Sequence, residues 1–181
     1  VTSELEQARA RWRFDGATRP EFADPSGPEQ ESVWDYPRPP RLEPDGRRVE
    51  VFADGVSLAE SERVIRVLET ASPPSFYIHP DDVRRELLIP GPGESACEWK
   101  GRAAYWSLVM GNVTVANVAW SYPDPCAEFA AIADYIAFYP RKVECFVLGV
   151  PVVQQPGRSY GGWVTPEIVG PFKGAPGTES W

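Results

Sequence analysis

From residue 49 onward the chain predicts a mainly β fold of antiparallel sheets built from hairpins, and three stretches carry that prediction. VEVFADGVSLAE, YWSLVMGNVTVANVAW and VECFVLGVPVV each set a glycine in a tight turn between alternating or continuous apolar runs. Asp54-Gly55 is a strong two-residue hairpin turn, Gly111-Asn112 suits one, and Leu148-Gly149 carries the weakest turn chemistry of the three.

The remaining elements follow in chain order. Ser3 and Glu6 form an S-x-x-E capping box, and Leu5, Ala8 and Trp12 keep helical spacing, so residues 3–14 are expected to be helical. Its apolar stripe is narrow, and such a helix is stable only when docked. Residues 15–48 hold seven prolines and few aliphatic side chains, which excludes a regular helix or central strand and favours extended backbone. Within this proline-rich N-terminal arm, VWDYPRPP (33–40) sets Trp34 and Tyr36 beside Pro37, Pro39 and Pro40, a stiff segment suited either to its own body or to a partner. Further strands are expected at 63–69, 75–79 and 85–89. Pro80 followed by Asp81 and Asp82 opens a short helix. Asp124-Pro125 opens a longer helix over about 125–137, on which Phe129, Ile132, Ala133 and Ile136 recur at helical spacing. The expected organisation is an N-terminal helix and arm over 1–48 and a β domain over 49–181 with its C-terminal tail.

Composition narrows the function classes. The net charge of -8, with no cluster of lysine or arginine free of interleaved acids, argues against a nucleic-acid partner, which needs a basic footprint. No apolar run approaches the ~20 residues of a spanning helix, and VTSELEQARARWRF lacks the apolar centre of a secretory signal, so a cytoplasmic protein without a membrane partner is expected. Cys97, Cys126 and Cys145 are odd in number and widely spaced, which suits a reducing compartment rather than a disulfide framework. With His79 as the single histidine, the chain offers no paired ligands for zinc, and neither a metal nor another cofactor is expected.

The stretch CEWKGRAAYWSLVMGNVTVANVAWSYPDP (97–125) is dense in side chains with an apolar body and a polar tip. A two-residue turn at Gly111-Asn112 pairs Met110 with Val113, Leu108 with Val115, Trp106 with Asn117 and Tyr105 with Val118. Period-two alternation then puts Trp106, Leu108, Val115 and Asn117 on one face and Tyr105, Val118 and Trp120 on the other, with both faces covered. A covered Asn117 is either a satisfied core amide or the polar floor of a pocket.

VWDYPRPP, LETASPPSFYIHPDDV, the C-x-WKG-x-A-x-YW block, N-x-AW-x-YPDP, IAFYP and GGWVTPEIVGPFKG together resemble the bacterial domain-of-unknown-function family 427, over about residues 31–174. The resemblance implies a β-tent, two antiparallel sheets meeting at an angle, similar to the drug-binding domain of cereblon and to methionine sulfoxide reductase B. Those relatives commonly hold zinc through cysteine pairs, which this chain lacks, so neither zinc nor a reductase mechanism carries over. His79 stands where the family pattern leads one to expect proline, which removes it as a family-wide catalytic residue. Some profiles label the family a nucleotidyltransferase, but Asp81 and Asp82 are adjacent and no phosphate-cradling glycine loop follows a strand.

Candidate chemistry centres on Lys100. Desolvated among aromatics it would be a nucleophile, general base or anion anchor; lying on a ring with its ammonium in water it would be structural. Cys97 is a reactive thiolate if Lys100 supplies the positive neighbour, and a packing group otherwise. Cys126, in the first turn of its helix, is the weaker candidate. The leading expectation is a small-molecule-binding module in which Tyr77, Tyr105, Trp106, Trp120, Tyr122 and Tyr139 form walls while Lys100 and Asn117 anchor the ligand. The alternatives are an enzyme of unassigned class using Lys100 or Cys97, and an interaction protein that self-associates through the proline-rich arm.

Overall fold

A computed structural model describes residues 3–181, so the first two residues of the expected N-terminal segment lie outside it. The chain is mainly β. It runs through α1 (Glu4–Ala10), β1 (Glu31–Ser32), β2 (Arg41–Asp45), β3 (Val49–Ala53), β4 (Val56–Ser61), β5 (Val64–Leu68), β6 (Ser75–Ile78) and β7 (Leu88–Cys97). It continues through β8 (Gly101–Met110), β9 (Val113–Ser121), β10 (Ala137–Phe138), β11 (Glu144–Val147), β12 (Val150–Pro151), β13 (Val153–Gln154), β14 (Trp163–Val164) and β15 (Ile168–Val169). Antiparallel sheets of order β2-β5-β6, β12-β11-β3-β4 and β10-β9-β8-β7 are joined by the small pair β13-β14 and a parallel pair β1-β15.

The three glycine turns all close hairpins. Asp54 and Gly55 both take positive φ (46° and 77°), the backbone of a type I′ turn. Leu148 and Gly149 do the same (50° and 75°) between β11 and β12, although leucine is a poor residue for it; Leu148 points into solvent, where no packing opposes that backbone. Gly111 alone is positive at 58°, as a II′ turn requires of its first central residue.

α1 is capped as expected: the Glu6 backbone donates to Ser3 Oγ (3.2 Å) and the Ser3 backbone donates to the Glu6 carboxylate (2.7 Å). Arg41–Asp45, expected to be part of the arm, instead pairs along its whole length with Val64–Leu68. β2 is an edge strand, the position in which Pro44 withholds no ladder donor that a neighbour needs. Upstream, Trp34 and Tyr36 are buried with Val33, Leu68 and Ile168, and Phe14, Phe22 and Trp181 pack edge-on or stacked around Trp34. The rings of VWDYPRPP therefore lie on their own chain.

Two expected elements are corrected. Residues 125–137 form no long helix, only a short 3-10 segment at Ala127–Ile132. Ala133 is extended (ψ 127°), Asp134 is left-handed (φ 61°), and Ile136 exchanges backbone hydrogen bonds with Ile78 before Ala137–Phe138 join β9. Strand pairing satisfies more backbone groups here than another helical turn would. Phe129, Ile132 and Ile136 are still buried, so the apolar spacing marks contact with the body rather than helix. Likewise 85–89 begins as a 3-10 turn, Arg85–Leu87, and the strand runs from Leu88 to Cys97.

The main core lies on one face of the β7–β10 sheet and includes Val51, Leu58, Phe76, Ile78, Leu108, Val118, Phe138 and Trp163. A second cluster of Tyr77, Trp99, Ala103, Trp120, Tyr122, Phe129, Ile132 and Tyr139 covers the other. Beside them Arg66 sits buried among the carboxylates of Glu31, Glu43 and Asp45.

Candidate functional site

The site grows from the connection between β7 and β8. Cys97 pairs with Gly101, and Glu98, Trp99 and Lys100 make the turn between them. Gly101 closes it with φ of 100°, a conformation that favours glycine, and the Cys126 backbone donates to the Lys100 carbonyl (3.0 Å). This tight path drives Trp99 and Lys100 inward and leaves Glu98 at the rim. There the N-terminal segment docks: Trp12 Nε1 donates to Glu98 Oε1 (2.7 Å), Arg9 Nε to the Glu98 carbonyl (2.8 Å), and the Arg9 guanidinium lies over the Trp99 ring (5.1 Å). The N-terminal segment is thus held to the turn that carries Lys100 through Arg9 and Trp12, while α1 itself buries no residue and its Leu5 stays exposed.

Lys100 lines a pocket of about 280 Å³ between the β7–β10 sheet, the β5–β6 hairpin, the loop at 155–161 and the N-terminal segment. Tyr77, Tyr105, Trp120, Tyr122, Tyr139 and Cys97 line it too. Their polar tips are organised. Trp120 Nε1 donates to Tyr77 Oη (3.0 Å), Tyr105 Oη donates to Ser95 Oγ (2.8 Å), and the Trp120 and Tyr139 rings lie 4.4 Å apart. Burial holds the Tyr77, Tyr122 and Tyr139 hydroxyls above the ordinary tyrosine value, so all three are neutral donors at pH 7.

Lys100 is only 9% exposed. Burial opposes its charge, yet the electrostatic pull of the neighbouring Cys97, Tyr77 and Glu69 side chains holds its pKa above the ordinary lysine value. That direction suits a permanent cation that anchors an anion, and it disfavours the amine nucleophile or general base. The ammonium also hydrogen-bonds Cys97 and stands 5.8 Å from the Tyr122 ring centroid.

Two of the expected wall and anchor residues lie elsewhere. Trp106 faces the main core and donates from Nε1 to Ser121 Oγ (3.0 Å). Its strand partner is Ala119, and that of Tyr105 is Trp120, because the ladder between Trp106/Ala119 and Leu108/Val115 holds Ser107 on one side and Ala116, Asn117 and Val118 on the other. Asn117 sits in this bulge with φ of 51°, takes Ser107 Oγ on its backbone N–H (3.2 Å) and donates from Nδ2 to the Pro92 carbonyl (3.0 Å). A Cβ on Gly91 would stand 2.2 Å from Asn117 Oδ1, so this amide locks the looped-out Gly91–Gly93 segment of β7 onto β9. It is structural and does not border the pocket.

The pocket also contains residues that strand patterning did not single out. Lys173 is 3% exposed; its Nζ stands 3.2 Å from the Trp12 ring centroid and donates to the Trp181 backbone oxygen (3.1 Å). Burial, with Arg38 and Arg11 nearby, lowers its pKa to about 8 against the pull of Glu69 and Glu98. Gln155 spans the loop, donating to the Lys173 carbonyl (2.9 Å) and accepting from the Gly162 backbone (3.1 Å). Gly161 passes so close to the wall that a Cβ there would stand 2.3 Å from Trp120 Cη2. Gly161 and Lys173 both fall in GGWVTPEIVGPFKG, and Trp12 continues the helical spacing of Leu5 and Ala8 two residues beyond the end of α1, but none of these patterns by itself points to a site.

The other cysteines are apart from this chemistry or peripheral to it. Cys126 is half-buried at the start of the 3-10 segment and does not line the pocket. Cys145 is buried in the main core, where burial raises its thiol pKa. His79 Nδ1 accepts from the Asp81 backbone (3.2 Å) and its ring meets Tyr135 edge-on, a capping role. Among the described residues, no three His, Cys, Asp or Glu side chains converge as a metal site.

The family model described as domain of unknown function DUF427, short label NTP_transf_9, matches residues 41–149, more than half of the chain. The chain belongs to the DUF427 family. No curated protein matches it. The matched range is narrower than the 31–174 of the resemblance and divides the pocket. Tyr77, Cys97, Lys100, Tyr105, Trp120, Tyr122 and Tyr139 fall inside the DUF427 region, whereas Trp12, Gln155, Tyr160, Gly161 and Lys173 are supplied by flanking segments. No described helix is long and apolar enough to cross a membrane.

Proposed function

We propose that this DUF427 protein binds a small molecule in the Lys100 pocket. The observation that carries the reading is one concave space of about 280 Å³ in which aromatic rings form the walls and a buried ammonium and tyrosine hydroxyls converge. Small-molecule sites have this make-up, and their volumes begin at roughly 300 Å³. Trp120 and Tyr139 offer flat apolar surface; Tyr77 and Tyr122 offer neutral polar tips; Tyr105 offers a hydroxyl tied to Ser95; Lys100 offers a fixed charge. A thermal-shift and saturation-transfer screen of metabolites against the full chain tests the reading. Binders that compete with one another and are lost in Lys100→Met support it, and the absence of any binder sensitive to that change rejects it.

Covalent chemistry is the second reading, favoured by Cys97, which lines the pocket within reach of the Lys100 ammonium. Selective modification of Cys97 by mild alkylation, slowed in Lys100→Met, supports it; reaction no faster than at Cys126 rejects it. The nucleotidyltransferase label has less behind it. Two-metal transfer needs converging carboxylates, and here Asp81 is exposed while Asp82 accepts from Ser61 Oγ (2.6 Å) and Arg63 Nε (3.0 Å).

A further inference from the structure

The charges around the pocket run against those of the whole chain. In a protein of net charge -8, the pocket lining carries Arg11, Lys100 and Lys173 against Glu69 and Glu98. Both carboxylates are already engaged. Glu69 accepts from Arg38 Nε (3.0 Å), whose own side chain is buried, and Glu98 accepts from Trp12 Nε1 (2.7 Å) and stands 3.5 Å from Arg11. Among the described residues, neither Lys100 nor Lys173 has a side-chain carboxylate within ion-pair distance, although both are more than nine-tenths buried, and Lys173 takes only the Trp181 main-chain oxygen (3.1 Å). Buried charge is costly unless it is paired. Rings over each ammonium, Tyr122 for Lys100 and Trp12 and Tyr160 for Lys173, return only part of that cost.

We infer that the ligand of this pocket is a small organic anion, with a carboxylate or phosphate head compensating the Lys100 and Lys173 ammonium groups and a flat apolar body against Trp120 and Tyr139. The inference rests on the binding reading above and names its ligand class. The Tyr77, Tyr122 and Tyr139 hydroxyls complete the site as neutral donors to anionic oxygen, which accepts but cannot donate. The two carboxylates of the lining, Glu69 and Glu98, are already bound by Arg38, Trp12 and Arg11, which disfavours a cationic ligand. The Cys97 sulfur is the nearest internal group that could share the Lys100 ammonium with a ligand, so Cys97→Ser separates an internal sulfur partner from an external anion.

The test uses four probes that share a phenyl ring and differ in head group, on the full chain, read by titration calorimetry and saturation-transfer NMR at pH 7: benzoate, phenyl phosphate, benzamide and benzylamine. Benzoate or phenyl phosphate is expected to bind at least about tenfold more tightly than benzamide, about 1.4 kcal/mol, and the better of the two identifies the head group. Lys100→Met and Lys173→Gln are each expected to weaken the anion at least about fivefold while leaving benzamide within about twofold. Cys97→Ser is expected to keep or tighten anion binding. Should Lys100→Met fail to fold by near-ultraviolet circular dichroism, Lys173→Gln and the charge-preserving Lys100→Arg carry the comparison. Benzamide or benzylamine binding as tightly as benzoate overturns the anion inference and leaves the binding reading intact. Anion binding unchanged in the lysine variants also overturns it, because the site is then elsewhere. No probe bound at about 10 mM, against weak-site affinities of millimolar order, removes both.

Discussion

Lys173 makes the pocket's affinity for anions a function of pH in a range where few side chains titrate. Its pKa of about 8 is set first by burial, then by the positive charge of Arg38 and Arg11, with Glu69 and Glu98 pulling the other way and Tyr160 the remaining titratable neighbour over its head. Below pH 8 the ammonium is intact. Each pH unit above that leaves about a tenth of the previous charged fraction, so the Lys173-dependent part of anion affinity falls about tenfold per unit. The converse is proton uptake. An anion that lifts the Lys173 pKa well clear of 8 draws about half a proton per ligand at pH 8, measurable by calorimetry in two buffers of different ionisation enthalpy. Stability moves by the same linkage. Lys173 has a folded pKa below its unfolded value of 10.5, so the unfolded chain binds more protons between about 8 and 10.5, and its contribution to stability rises with pH across that window. The cost below the window is roughly 3 kcal/mol if fully felt, and about 2 kcal/mol once screening by solvent in the open pocket is allowed for. Urea unfolding at pH 7, 8, 9 and 9.5 reads the difference between the native chain and Lys173→Gln. Uptake of protons that persists in Lys173→Gln, or parallel stability profiles for the two proteins, would refute the reasoning.

Three further outcomes follow from the geometry. Gly161→Ala drives a Cβ to within 2.3 Å of Trp120 Cη2 and 3.1 Å of Tyr139; it is expected to cost about 1–3 kcal/mol by urea unfolding and to abolish probe binding, and a neutral result would show that the wall yields. Arg66→Met leaves Glu31, Glu43 and Asp45 without their shared buried partner. It should cost about 3–5 kcal/mol at pH 7 and recover part of that as pH falls, since Asp45, whose burial is outweighed by Arg47 and Arg66, is held below the usual carboxylate range and gives its stability above that range. Trp12→Ala removes the indole that caps Lys173 and bonds Glu98; it should weaken anion binding at least about threefold through lost closure and lost cation-π support, while far-ultraviolet circular dichroism stays that of a mainly β protein.

The candidate site was half legible in advance. Tyr105 and Trp120 were placed on one covered face, and they do share the pocket, because alternation at the two ends of a strand survives an irregularity between them when the number of extra residues is even. Asn117 was misplaced for the same irregularity: no residue pattern announces a bulge whose backbone is held by Ser107 Oγ and by the looped-out Gly91–Gly93 segment. Lys173 and Trp12 lie 161 positions apart by number yet meet at 3.2 Å, a proximity that only docking of both ends of the chain creates.

The sequence by itself determined what short-range physics decides: the Ser3–Glu6 cap, the positive-φ turns at Asp54-Gly55 and Gly111, and the mainly β character. Tertiary structure decided the rest. Backbone groups at 133–138 found better partners in Ile78 and β9 than in a helix of their own, and the pocket was assembled from the β7–β9 sheet, the loop at 155–161 and both flanking segments. Local propensity is worth tenths of a kilocalorie per residue, whereas satisfying a buried backbone group is worth on the order of 1–3 kcal/mol, so where the two disagree the long-range partner prevails.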